Sequence, residues 1–248
     1  MTSQAAALPS SPLAHSLLYR ALLLGVAFTA LRALAMLGPV AWRPLFLIHC
    51  IFMAATPWLL LSRAGRQECG IQRGGSLATY AGALAFGAAA ASACHVLGYA
   101  LFGTTADNWF VSVANSFRAQ PTPGLGIVQI YLMFTIPAIL FSPFGEEIFF
   151  RGVLQRALET RFSARTATLL EAIWFGAAHL IHHGLLLSAL GLTFLWQSGP
   201  LWFLLMTALS LGLAALRKSA GSVWPAVAAH AAFNATMNTF IFSSIWNA

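Results

Sequence analysis

The sequence predicts an all-α fold, a polytopic bundle of about seven or eight transmembrane helices. Three observations carry this. Of 248 residues, 59% are hydrophobic and only 8% are charged, against about 25% charged in an average soluble domain, and so few charges cannot cover a water-facing surface. The apolar residues fall in runs of about 20, the length of one bilayer crossing. Basic residues collect in short clusters between those runs, as they do where charge sets membrane topology. In lipid every backbone polar group needs an internal partner, and a helix supplies it within one segment.

Residues 1–15 read as a polar, flexible N-terminal tail without the basic start of a secretory signal. Residues 16–248 read as one membrane-embedded domain. Span one, residues 16–37, is interrupted by Arg20 and Arg32 and ends at Gly38-Pro39; span two covers residues 41–61. The loop 62–75 carries Arg63, Arg66 and Arg73 and is therefore expected on the cytoplasmic side. Span three, residues 77–102, is rich in Ala and Gly, which let neighbouring helices approach closely. Residues 103–124 read as a polar external loop.

Span four begins near Ile127 and runs into Pro143, and a charged stretch from Glu146 to Arg165 follows. Span five is residues 168–181. Residues 185–199 are apolar but fall short of the roughly 17 residues a crossing needs, so they read as a re-entrant or interfacial segment. Span six, residues 201–216, ends at Arg217-Lys218, and span seven covers residues 223–245. With residues 185–199 left non-spanning, the clusters at 63–73, 151–165 and 217–218 share one side. Seven spans with a cytoplasmic N-terminus is the expected topology, and Arg43 is its one misfit.

The net charge of +7 does not indicate nucleic acid, because the basic residues form no continuous stripe. Cys50, Cys69 and Cys94 show no CxxC and no metal-ligand spacing. An odd count with two members inside apolar runs argues against a disulfide framework.

Ionisable residues in membrane segments are costly and mark function by default. Of six acidic residues, four lie between Glu146 and Glu171, and two are adjacent. On a helix Glu147 and Arg151 stand four apart with the acid first, the favourable order for an ion pair. Glu146 then points about 100° away, free to activate water. The bland alternative is a solvated helix end. Phe175 and His179 are four apart on span five, with Gly176, Ala177 and Ala178 thinning the helix beside the imidazole. His182 and His183 fall at the membrane boundary. Glu171, eight residues before His179, is either a supporting residue of the site or a charge near the cytoplasmic edge. His230 and Asn234 are four apart on span seven. They suit an oxyanion clamp or a water-positioning pair, and equally an interhelical polar contact, as Asn238 on the same stripe illustrates. His95 is most simply structural.

Glu146-Glu147…Arg151, Phe175…His179 and His230…Asn234 together resemble the motifs Glu-Glu-x-x-x-Arg, Phe-x-x-x-His and His-x-x-x-Asn of the CAAX-protease and bacteriocin-processing family, the type II CAAX prenyl endopeptidases. The stretch Gly221-Ser222-Val223-Trp224-Pro225-Ala226 before His230 looks like that family's approach to the helix. The resemblance places a protease-like core at about residues 126–245 of the membrane domain, as a helical bundle around a polar intramembrane cavity open to the cytoplasm. It implies that Glu146 is the general base acting on water, with His179 assisting. His230 and Asn234 would stabilise the oxyanion, and Glu147 and Arg151 would orient the site. No cofactor is expected on this reading. The alternative is zinc held by Glu146, His179 and His230 with an open fourth position, although the His-Glu-x-x-His helix of zinc proteases is missing.

The expected activity is therefore that of an intramembrane endopeptidase acting on a membrane-associated or lipid-modified protein or peptide. The expected location is a bacterial inner (plasma) membrane, with the lipid bilayer as partner and no nucleic acid. Two rivals remain at this stage. One is a non-proteolytic maturation or immunity factor of the same family. The other is a proton-coupled transporter using Glu146, Glu147 and His179 as a relay, although the repeated halves with broken helices expected of many transporters do not appear in the sequence.

Overall fold

The computed structural model describes residues 12–188 and 191–246; most of the polar tail expected at residues 1–15 lies outside them. Residues 12–15 belong to the first turn of α1, Pro12–Leu37, and not to a tail. The chain continues through α2 (Pro44–Leu60), a short α3 (Arg63–Glu68) and α4 (Leu77–Phe102). Next come α5 (Trp109–Arg118) and α6 (Ile127–Glu147), which runs through a π-helical stretch, Ile148–Leu154, into α7 (Gln155–Glu159). α8 (Ala164–His179) leads to a β-hairpin, β1 (Leu185–Ser188) with β2 (Gly191–Phe194), and then to α9 (Gly199–Ala220) and α10 (Trp224–Phe240).

The all-α bundle holds. Among the described residues, five segments are long and apolar enough to cross a membrane: Ser16–Leu37, Val40–Leu60, Leu77–Phe102, Ile127–Glu159 and Gly199–Ala220. The other two expected spans, α8 and α10, are 16 and 17 residues long. They carry His179, His230, Asn234 and Asn238, so the polar residues that mark them also lower their apolarity. α10 lies at the centre, packed against α4, α6 and α9. The small residues Ala83, Gly87, Ala91, Cys94 and Gly98 form the buried stripe of α4, as expected of a helix that neighbours approach closely.

The expected external loop and the expected re-entrant or interfacial segment both contain regular structure. Residues 103–124 contain the amphipathic α5, whose Trp109, Phe110, Val111 and Ala114 are buried; the polar residues around it hid a short apolar face. Residues 185–199 form the antiparallel hairpin with Leu185 opposite Phe194, which pairs its own backbone groups without a crossing helix. All three cysteines are free and buried, including the one expected in a loop.

Hydrogen bonds tie the connections into two opposite ends. At one end Arg156 donates to Glu68 at 2.8 Å, Arg217 to the Glu68 carbonyl at 3.1 Å, and Lys218 to Thr168 at 2.6 Å. This end gathers the basic clusters of the loop after α2, the turn after α7 and the end of α9. At the other end Ser198 donates to Asp107 at 2.8 Å and meets the buried His183 at 2.9 Å. Arg118 of α5 donates to the Trp246 carbonyl at 2.7 Å. This second end holds α5, the hairpin and the α1–α2 connection.

Gly145 sets the distance between α2 and α6. A Cβ there would stand 2.5 Å from the Cys50 carbonyl oxygen, so the helix backbones themselves are in contact one residue before Glu146. Gly176 does the same for α8 against α9, where a Cβ would lie 2.8 Å from the Phe203 carbonyl oxygen. Its smallness serves helix packing more than room beside the His179 ring. Gly145→Val is expected to cost about 1–3 kcal/mol of stability by overpacking. Gly82→Ala, where a Cβ meets nothing within 4 Å, should change it by less than about 1 kcal/mol. Thermal unfolding of the two variants in detergent measures the difference.

Candidate active site

The site is built where α6 turns into its π-helical continuation, a wide-turned geometry often found at functional positions. Pro137 and Pro143 lie within α6, and each removes a backbone donor and weakens the local ladder. From Ser142 to Leu154 every residue except Phe144 is buried, so the two adjacent glutamates point into protein on different sides. The solvated helix end considered from sequence is therefore not what forms.

Glu146 is 1% exposed. Its Oε1 meets Arg32 Nη2 of α1 at 2.6 Å and accepts a hydrogen bond from Ser142 Oγ at 2.7 Å. Among the described residues its Oε2 has no hydrogen-bond partner; it faces His179 Nε2 at 3.7 Å, beyond direct hydrogen-bond reach. His179 Nδ1 lies 2.7 Å from the Phe175 carbonyl oxygen. A carbonyl only accepts, so Nδ1 carries the hydrogen, and in the neutral ring it is a bare Nε2 that is turned toward Glu146. In that state two proton acceptors face each other across a narrow gap. The Phe175 ring packs against the imidazole at 4.2 Å between centroids, and Trp202 Nε1 donates to the His179 carbonyl at 3.1 Å.

Glu147 faces the other way. Its Oε2 meets Arg151 Nε at 3.0 Å, the ion pair expected from the four-residue spacing. Its Oε1 accepts a hydrogen bond from His230 Nδ1 at 2.7 Å. The carboxylate therefore holds the second imidazole with Nδ1 protonated and supports a positive ring when Nε2 is also protonated. Arg151 lies over the Phe175 ring at 4.1 Å, and its Nη1 is 3.7 Å from Glu171 Oε1. Glu171, fully buried, also accepts from Ser210 Oγ at 3.3 Å. Glu171 is therefore packed inside the bundle against Arg151 and not exposed at an edge.

These groups border a cavity of about 450 Å³ lined by Glu146, His179, His230 and Asn234 together with mostly apolar side chains. Glu147 and Arg151 stand behind the wall and reach the cavity only through His230. Asn234 Nδ2 donates to the Ala138 carbonyl at 2.8 Å, which leaves its second amide hydrogen for the cavity. Asn238 Nδ2 instead donates to Thr135 Oγ1 at 3.1 Å. His95 stacks on Phe240 at 4.1 Å, far from the cluster in role, as its isolation in the sequence suggested. Two members were missed from sequence, Arg32 and Ser142. Arg32 carried a signal, because an arginine inside a hydrophobic span is itself costly, but nothing in the sequence named its partner.

The zinc alternative meets one obstacle. Glu146, the carboxylate such a set would need, already has Arg32 on Oε1, and a guanidinium there opposes a divalent cation beside it.

Residues 128–236 match the family described as type II CAAX prenyl endopeptidase Rce1-like. No curated protein and no solved structure matches the chain. The matched segment contains Glu146, Glu147, Arg151, His179, His230 and Asn234, whereas Arg32 lies outside it.

Removing one partner of a buried ion pair leaves an uncompensated charge and costs about 3–5 kcal/mol. Arg151→Met, which strands Glu147 and Glu171 together, is expected to lose at least that much. Arg151→Lys keeps the charge without the planar fork and should fall between. Unfolding midpoints in detergent order the three proteins, and an unchanged midpoint in Arg151→Met would remove this cation from the support of the site.

Proposed function

Because residues 128–236 match the type II CAAX prenyl endopeptidase Rce1-like family, we propose that this integral membrane protein is an intramembrane endopeptidase. It hydrolyses a peptide bond in a membrane-associated or lipid-modified protein or peptide, using a glutamate-activated water. The membrane proposed is a bacterial inner membrane. The observation that carries the chemistry is the pair of acceptors, Glu146 Oε2 and His179 Nε2, facing each other at 3.7 Å on the cavity wall. A water seated on that pair can donate one hydrogen to each and turn a lone pair toward a substrate carbonyl.

In the proposed reaction the water oxygen bonds to the carbonyl carbon while its proton passes to Glu146, with His179 holding the second hydrogen. Negative charge moves onto the carbonyl oxygen, where the amide of Asn234 can stabilise it, joined by the His230 ring backed by Glu147 whenever its Nε2 carries a hydrogen. Such preorganised donors are worth about 10²–10³ in rate. Collapse of the tetrahedral intermediate breaks the C–N bond, the proton held on Glu146 passes to the departing nitrogen, and an acid and an amine leave. Arg32 and Ser142 occupy Oε1 and so direct the free lone pairs of Oε2 toward the water. The same pairing supports a metal-free route, since Arg32 supplies the positive charge that a metal would otherwise bring to this carboxylate.

Three variants of the purified protein in proteoliposomes, assayed on a membrane-anchored reporter peptide, test this. Glu146→Gln is expected to lose at least about 10²-fold in cleavage rate and, because it strands the buried Arg32, about 3–5 kcal/mol of stability, so the rate is compared at a temperature at which both proteins remain folded. His230→Ala should lose a similar factor. Arg32→Lys should retain part of the activity that Arg32→Met loses. Full activity in Glu146→Gln would sink the mechanism.

A chelator is expected to leave the wild-type rate unchanged. Loss of activity on chelation, restored by zinc, would instead favour the metal route.

A further inference from the structure

His179 is the last residue of α8, and beyond it the chain turns away toward the hairpin. No further helical turn holds its backbone. The final carbonyls of a helix lack partners within it and find them elsewhere. The His179 carbonyl oxygen accepts from the amides of His182 and His183 at 3.0 and 3.2 Å. From α9 it also accepts from Trp202 Nε1 at 3.1 Å. The two amides belong to the same turn of chain and move with it. The indole belongs to another helix, so it is the contact that fixes where His179 stands in the bundle.

Trp202 is itself held from two sides. Its ring stacks on the buried Trp109 of α5 at 5.5 Å between centroids, and Trp109 Nε1 donates to the Cys94 carbonyl of α4 at 3.1 Å. Its backbone amide donates to the Ser198 carbonyl at 2.9 Å, so Ser198 anchors the first turn of α9. The Ser198 hydroxyl gives its one hydrogen to Asp107 at 2.8 Å. His183 Nε2, at 2.9 Å from the same oxygen, is therefore the donor of that second bond. Burial pushes His183 down to about 4 against the opposing pull of Asp107. Its neutral ring lies roughly perpendicular to Trp109 and Trp202, 6.1 and 6.2 Å from them. Trp202 borders the cavity, whereas Asp107, Ser198 and His183 stand away from it.

We infer that Trp202 is a positioning residue for His179, and that the chain Asp107–Ser198–His183 holds Trp202 in place. The effect on the reaction rests on the endopeptidase reading, whereas the clamp on the end of α8 does not. Trp202 acts through the His179 backbone and touches neither reacting group. Glu146 is held from α1 by Arg32 and His179 from α9 by Trp202, so two helices set the 3.7 Å gap that receives the water. A misplacement of about 1 Å can cost about 10² in rate. The bland reading is that a buried indole N–H takes any carbonyl within reach. The two readings differ in what is lost when the N–H is removed.

Trp202→Phe keeps an aromatic ring against Trp109 and removes the donor. In proteoliposomes with the membrane-anchored reporter peptide it is expected to lower kcat about tenfold and to change KM by less than about twofold. Ser198→Ala loosens the anchor at one remove and should lower kcat about threefold, and Ser198→Thr, which restores the hydroxyl, should recover it. Trp174→Phe is the comparison. It removes another indole donor of α8, Trp174 Nε1 to Thr29 Oγ1 at 3.1 Å, and should lose comparable stability with kcat unchanged. Hydrogen exchange over residues 180–184 reads the clamp without cleavage. The amides of His182 and His183 should exchange about tenfold faster in Trp202→Phe and at the wild-type rate in Trp174→Phe. Unchanged kcat in folded Trp202→Phe, with or without faster exchange, would overturn the inference. Should Trp202→Phe fail to fold, the Ser198→Ala and Ser198→Thr pair decides by the same two measurements. If the wild type cleaves no peptide, the endopeptidase reading falls, and exchange alone decides whether Trp202 holds the end of α8.

Discussion

Two adjacent carboxylates are brought inside an apolar helix bundle, and the rest of the structure follows from how their charge is compensated. An isolated ion taken from water into such an interior costs several kcal/mol even after relaxation. Each glutamate therefore has its own guanidinium. Arg32 reaches Glu146 from α1, and Arg151 reaches Glu147 from four residues on along the same helix. The two cations come from different parts of the chain, so the pairs are held independently. The two carboxylates can then serve different ends, one on the cavity wall and one behind it.

That division explains the placing of the histidines. His179 receives its hydrogen-bond direction from a backbone carbonyl and keeps a free nitrogen beside Glu146. His230 receives its direction from Glu147. The two imidazoles are thus oriented by different partners, one by a backbone carbonyl and the other by a carboxylate. Arg151, Glu171 and Ser210 extend the second arrangement into the bundle without touching the cavity, which gives Glu147 and its ring a fixed orientation.

Close helix contact makes these distances attainable. Gly145 brings α6 against α2 one residue before the glutamate pair, and Gly176 brings α8 against α9 three residues before His179. The polar helices α8 and α10 are shielded by neighbours of ordinary transmembrane length. A helix too short or too polar to be stable alone in lipid is acceptable when other helices satisfy its side chains.

Composition and the spacing of apolar runs were enough to determine the helical bundle, the ends of most long helices and the sharing of one side by the basic clusters, because length and charge act locally. The same holds for the Glu147–Arg151 pair, which lies within one helix and follows from a four-residue spacing. The short elements, α5 and the hairpin, were not legible, since an apolar face of four residues is masked by polar neighbours and β-pairing of 185–188 with 191–194 competes with a helical reading of the same leucines. The partner of Arg32 and the packing of Glu171 against Arg151 were decided only by tertiary structure. Each depends on which helices lie side by side and at what height, and contacts between residues on different helices leave no periodicity in a single sequence.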